Sequence, residues 1–238
     1  MRPTLLAAAI AALAIAGCPA PAAGACSEST YLYGGLDPAT PIAVVAASDD
    51  TVFSLHGCDR IHARYQVNAG LVIASVDGAC ALDTGAGPSG IETVLEDDFT
   101  VTGLPDGTPL GFDAVLDIAG LAECWSEPGS GGGGRVRGLV REGASNEVSV
   151  QLATSGGTPT LAVNEPVTLS LSALAGTPLH LRFAVRGEAV EGRASLQGNF
   201  HFANLPPGAS VQSCRGYSSN APVAARTSTW GALKSRYR

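Results

Sequence analysis

Carboxylates are the groups in this chain whose type and spacing come nearest to chemistry. Glu96-Asp97-Asp98, together with Asp113 and Asp117, offers oxygens that suit a glycosidase acid/base pair or calcium ligation. The spacing favours a plainer use. On the run 91–102, Glu92, Glu96 and Asp98 share one outward face, and Asp113 and Asp117 share another on 110–118. Such residues serve as a solvated face or as cross-strand partners, here for Arg182 and Arg186, which are expected to meet Glu96, Asp98, Asp113 or Asp117. Asp97 is the exception. Alternation turns it inward with Leu95 and Phe99, unless a bulge returns it to solvent.

Nucleophilic and metal chemistry find less support. Gly87-Pro88-Ser89-Gly90 lacks the Gly-x-Ser-x-Gly spacing of a nucleophile elbow, and no histidine is adjacent in sequence. His56, His62, His180 and His201 do not pair at ligand spacing and no Cys-x-x-Cys occurs, which argues against zinc. The expectation is a non-enzyme without a cofactor, a metal ligand or a catalytic residue. Sugar binding by stacking needs exposed planar rings, and aromatic residues are 5% of the chain. Trp125, beside Cys124, reads as packing on a disulfide or the core edge. Tyr31 and Tyr33 fall side by side on one strand face and read as core or edge packing.

Six cysteines occur: Cys18, Cys26, Cys58, Cys80, Cys124 and Cys214. In an exported chain, spaced cysteines read first as disulfides. Asn68-Ala69-Gly70 fits a three-residue hairpin loop with glycine available for positive φ. Centring the hairpin on Ala69 sets Val67 opposite Leu71, Tyr65 opposite Ile73, Ala63 opposite Ser75 and Cys58 opposite Cys80. A Cys58–Cys80 bridge is therefore expected, stabilising the fold by roughly 3 kcal/mol through loop closure.

The elements that must carry these residues are strands. Val167, Leu169, Leu171 and Ala173 alternate with Thr168, Ser170 and Ser172, and Leu179, Leu181, Phe183 and Val185 alternate with polar or small neighbours. Leu110, Phe112, Ala114, Leu116 and Ile118 repeat the pattern. Period two with one apolar face marks a strand of a half-buried sheet. Further runs lie at 51–56, 61–67, 71–77, 91–102, 135–141, 147–154, 194–204 and 209–214, separated by Gly/Pro/Asn/Asp turns. About ten short strands imply an all-β, two-sheet antiparallel sandwich, jelly-roll-like or Ig-like, as one domain over residues 26–217.

Arg2, the apolar run Leu5 to Ala16 and the small residues that follow form an export signal over residues 1–25. Two processing sites stand side by side. Ile15-Ala16-Gly17-Cys18 resembles a lipobox, which makes Cys18 the lipidation candidate and membrane attachment a matter of an N-terminal lipid; Ala23-Gly24-Ala25 instead allows cleavage before Cys26. The expected location is secreted, periplasmic or lipid-anchored at the envelope. A net charge of −7 argues against nucleic acid as a partner. Residues 1–175 carry 6 Arg against 19 Asp and Glu (−13), and residues 176–238 carry 8 Lys and Arg against 2 Glu (+6), so the two parts of one domain are expected to pair. Residues 218–238 read as a flexible tail in which Trp230, Leu233, Lys234 and Tyr237 allow a short C-terminal helix.

The run Asp97-Asp98-Phe99-Thr100-Val101-Thr102-Gly103-Leu104-Pro105, with Phe202-Ala203-Asn204-Leu205-Pro206-Pro207-Gly208, is similar to exported bacterial β-sandwich proteins of unknown function, many of PEP-CTERM type. The likeness lies in turn and strand chemistry over about residues 90–217, without the Pro-Glu-Pro motif or C-terminal membrane helix of that group. It implies a surface or envelope protein with a structural or binding role. The alternative is a carbohydrate-binding jelly-roll module with a structural calcium and polysaccharide contact.

Overall fold

A computed structural model describes residues 28–34, 43–45, 50–54, 57, 59–66, 69–77, 88–126, 132–155 and 160–219. The expectations for Cys18, Cys26, Cys58 and Cys80, the export signal and the tail beyond Ser219 lie outside these residues. Among the described residues there are thirteen strands: β1 (Glu28–Gly34), β2 (Ala43–Val45), β3 (Asp50–Phe53), β4 (Arg60–Gln66), β5 (Leu71–Asp77), β6 (Ser89–Thr102), β7 (Pro109–Cys124), β8 (Gly133–Glu142), β9 (Asn146–Ala153), β10 (Thr160–Leu174), β11 (Pro178–Val190), β12 (Gly192–Ala203) and β13 (Ser210–Ser213).

All pairings are antiparallel. One sheet runs β2-β1-β6-β11-β8-β9, with β13 also on β6, and the other runs β10-β7-β12-β5-β4-β3. We call them the first and second sheets. Within them β5 pairs β12, β6 pairs β11, β7 pairs β10 and β8 pairs β9. The eight strands thus form one long folded-back hairpin, rolled so that successive strands fall in opposite layers except at its β8–β9 tip. That is a jelly roll rather than an Ig-like sandwich.

Alternation is what makes the roll possible, since each strand offers one apolar face to the space between the sheets. On β6 the odd-numbered residues are buried, and on β12 Ala194, Leu196, Phe200 and Phe202 face in. The centre is aromatic. Phe183 stacks on Phe200 with ring centroids 4.4 Å apart, and Phe99 meets Phe183, Phe200 and Phe202 edge-on at 5.9, 6.0 and 5.3 Å. Tyr217 closes this cluster from the turn after β13. Ser219 N–H donates to the Val211 carbonyl at 2.9 Å.

The β4–β5 hairpin departs from expectation by one residue. Gln66 pairs Leu71, Tyr65 pairs Val72 and Ala63 pairs Ala74. Gly70 has φ 63°, and its carbonyl accepts from Phe200 N–H at 2.7 Å. Anchoring Gly70 on β12 removes it from the ladder and starts β5 at Leu71. Val72, Ala74 and Val76 face inward. The register that set Cys58 opposite Cys80 is therefore not the one adopted.

Candidate functional site

The outward face of the first sheet gathers the charged residues singled out in the sequence. On β6, Glu92 and Glu96 lie two pleats apart, and β11 is its neighbour, so Arg182 reaches both: Nη2 to Glu92 at 3.2 Å and Nη1 to Glu96 at 3.1 Å. Arg141 on β8 joins Glu96 at 3.4 Å, and Asp98 meets His180 Nδ1 at 3.0 Å. Arg186 pairs with Glu188, which Arg135 also approaches at 3.5 Å, and Arg137 pairs with Glu147 at 2.6 Å. Beneath these groups Val94, Ala184 and Leu139 sit in cross-strand register and are buried although they point away from the core. The arginine and glutamate stems shield that apolar strip, and the charged ends neutralise one another above it. Arg135, Arg137 and Arg141 were not anticipated as partners, although they alternate along β8 with the same period of two.

Asp113 and Asp117 are elsewhere. They lie on β7 in the second sheet, so the two acidic groups cannot cooperate, and neither meets Arg182 or Arg186. Asp113 Oδ1 accepts from Ser170 Oγ at 2.7 Å and its Oδ2 from Asn204 Nδ2 at 2.5 Å. These bonds hold the Asp113 carboxyl below the ordinary range. Asp117 Oδ2 lies 3.3 Å from His201 Nδ1. The expected pairing of the two parts of the chain appears in Arg182 with Glu92 and Glu96, and in Arg193 with Asp77 at 2.9 Å.

Asp97 stays inside. The β6–β11 ladder runs through Leu181–Asp97 without a bulge, and the residue is 1% exposed. Its Oδ1 accepts from Asp98 N–H at 2.8 Å and lies against the sulfur of Cys214, while Oδ2 has no hydrogen-bond partner. Burial pushes this carboxyl up. Hydrogen bonding from Ser213 and from the Asp98 and Arg215 backbone opposes the rise.

Ser89 Oγ donates to Asp59 Oδ2, and Ser54 Oγ to Asp59 Oδ1 at 2.6 Å. Cys124 is a buried free thiol within reach of Ser126 Oγ at 3.1 Å and the Gly132 carbonyl at 3.3 Å. Cys124 is free, so Trp125 has no disulfide there to pack on. Trp125 is 54% exposed at the end of β7. The register pairs Tyr31 with Glu92 and Tyr33 with Gly90. Among the described residues, no group of three or more His, Cys, Asp or Glu could hold a metal ion, and no helix is long and apolar enough to cross a membrane.

No protein-family model and no curated protein matches the chain. A solved structure of TmCBM61 in complex with β-1,4-galactotriose is similar to it at 12% identity and a TM-score of 0.25, covering 65% of this chain and 88% of that one.

Proposed function

We propose that this is an exported, non-enzymatic β-sandwich protein of the cell surface or envelope, with a structural or binding role. One observation carries the reading: the charged groups on the first sheet's outward face are engaged with one another, while Phe99, Phe112, Phe183, Phe200, Phe202 and Tyr217 lie in the core. A face so arranged suits a durable wall better than a reactive cleft. Intact mass of the mature protein from its host, with cell fractionation, tests the export half by fixing the cleavage site, any lipid on Cys18 and the thiol count. An unprocessed chain in the cytoplasm would overturn it.

A second reading, a carbohydrate-binding module, draws on Trp125, exposed at the end of β7 on the sheet whose outward face carries Asp117 and His201. Binding to a polysaccharide panel that Trp125→Ala abolishes would favour it. Retention on no polysaccharide would leave the first reading standing.

A further inference from the structure

We infer that β9 is a self-pairing edge, through which two copies of the chain join their first sheets antiparallel about a two-fold axis at Val150. Among the described residues five strands, β2, β3, β9, β10 and β13, pair with a strand on one side alone; β13 is four residues long and bridged to Ser218, and three of the other four are guarded. Strands β2 and β3 are only three and four residues long. Strand β10 spans fifteen residues, but Pro166 at its middle lacks an N–H, and Glu165 takes the inward phase between Val163 and Val167 while remaining exposed. Short strands, edge proline and inward-pointing charge are devices that stop edge-to-edge pairing.

Strand β9 has none of them. Its eight residues, Asn146 to Ala153, contain no proline and no inward charge, and among the described residues its second edge is unpaired. Its core-facing residues are incompletely covered. Val148 is 37% exposed, and Val150 and Leu152 are only partly buried against the core. Across the sandwich the inward residues Val167, Leu169 and Leu171 of β10 are buried. The first sheet therefore overhangs the second along β9, so two β9 strands can meet while the guarded β10 strands stay apart.

The sequence of β9 matches itself in one register. With Val150 opposite its own copy, Val148 faces Leu152 of the second copy and Leu152 faces Val148. All three apolar side chains of each chain are then covered on one face. On the other face Ser149 meets Gln151, and Glu147, the one charge of the strand, meets Ala153 rather than another Glu147. Shifting the axis by one residue leaves Leu152 or Val148 opposite a polar residue instead.

The test uses the exported chain, sedimented over a range of concentrations. A dimer is expected. Val148→Lys should raise its dissociation constant by more than about tenfold, because the two-fold axis counts each change twice, while Val148→Thr should raise it far less. Residues directly opposite in an antiparallel pair have Cα atoms about 4.5–5.5 Å apart, within disulfide range. Val150→Cys should therefore oxidise to a 150–150 link between chains, recovered by non-reducing peptide mapping, and Val148→Cys should not link to itself. A monomer at about 1 mM, near the weakest affinity worth calling specific, overturns the inference. So does a dimer that is indifferent to Val148→Lys and fails to link at position 150. If Val148→Lys does not fold, the Val150→Cys link alone decides.

Discussion

Replacing Asp97 by Asn should raise stability at neutral pH and lower or leave unchanged the stability in acid. Asp97 is 1% exposed, and one of its carboxylate oxygens has no hydrogen-bond partner. An unsatisfied buried polar atom costs about 1–3 kcal/mol, and more when it carries charge. The Asn oxygen can keep the bond from Asp98 N–H, but its amide nitrogen inherits the unpartnered position, so part of the cost remains. The net gain at pH 7 is then about 1 kcal/mol, or roughly 2–4 °C in Tm for a domain of this size. The sign follows from linkage. Burial raises the folded-state pKa above the unfolded value. The contribution of Asp97 is therefore fully present below the ordinary Asp value near 3.9 and is lost as pH rises through the raised folded value. Asn has no such titration, so the difference in stability between variant and parent should grow with pH across that window and then level off. Thermal unfolding of both proteins from about pH 3 to pH 8 checks this. A difference that is constant with pH would refute the buried, perturbed carboxyl, whatever its sign.

Three further outcomes are expected. Gly70→Ala would drive a Cβ into the Phe200 carbonyl oxygen at a φ of 63°, so denaturant unfolding should show a loss of about 2 kcal/mol or more. Arg182→Met leaves Glu96 with Arg141 and removes the Glu92 ion pair to Arg182; a loss of about 1–2 kcal/mol that shrinks in high salt is expected by urea titration at two ionic strengths. Cys124, buried and free, should resist alkylation in the native protein and react fully once unfolded, as read by intact mass.

Period-two alternation was legible in the sequence because it is a local property: a strand with one apolar face announces itself within six or seven residues. It located the runs that became β3 to β13 and placed Glu92, Glu96 and Asp98 outward. The fully buried Asp97 was legible too, as an inward phase. What the sequence did not convey was that the fold tolerates the charge there, which depends on the turn from Ser213 to Tyr217 closing over it. Partner choice was decided only by the tertiary structure. Arg182 meets Glu92 and Glu96, from which it is separated by 90 and 86 residues, because β6 and β11 are neighbours in the roll; Asp113 and Asp117, equally plausible by spacing, went to the other sheet. The β4–β5 register shows the same division. The turn residues Asn68-Ala69-Gly70 suggested a hairpin centred on Ala69, one residue from the register adopted. The hydrogen bond and close contact between Gly70 and Phe200, 130 residues away in sequence, selects that register and with it the face that every residue of β5 presents to the core.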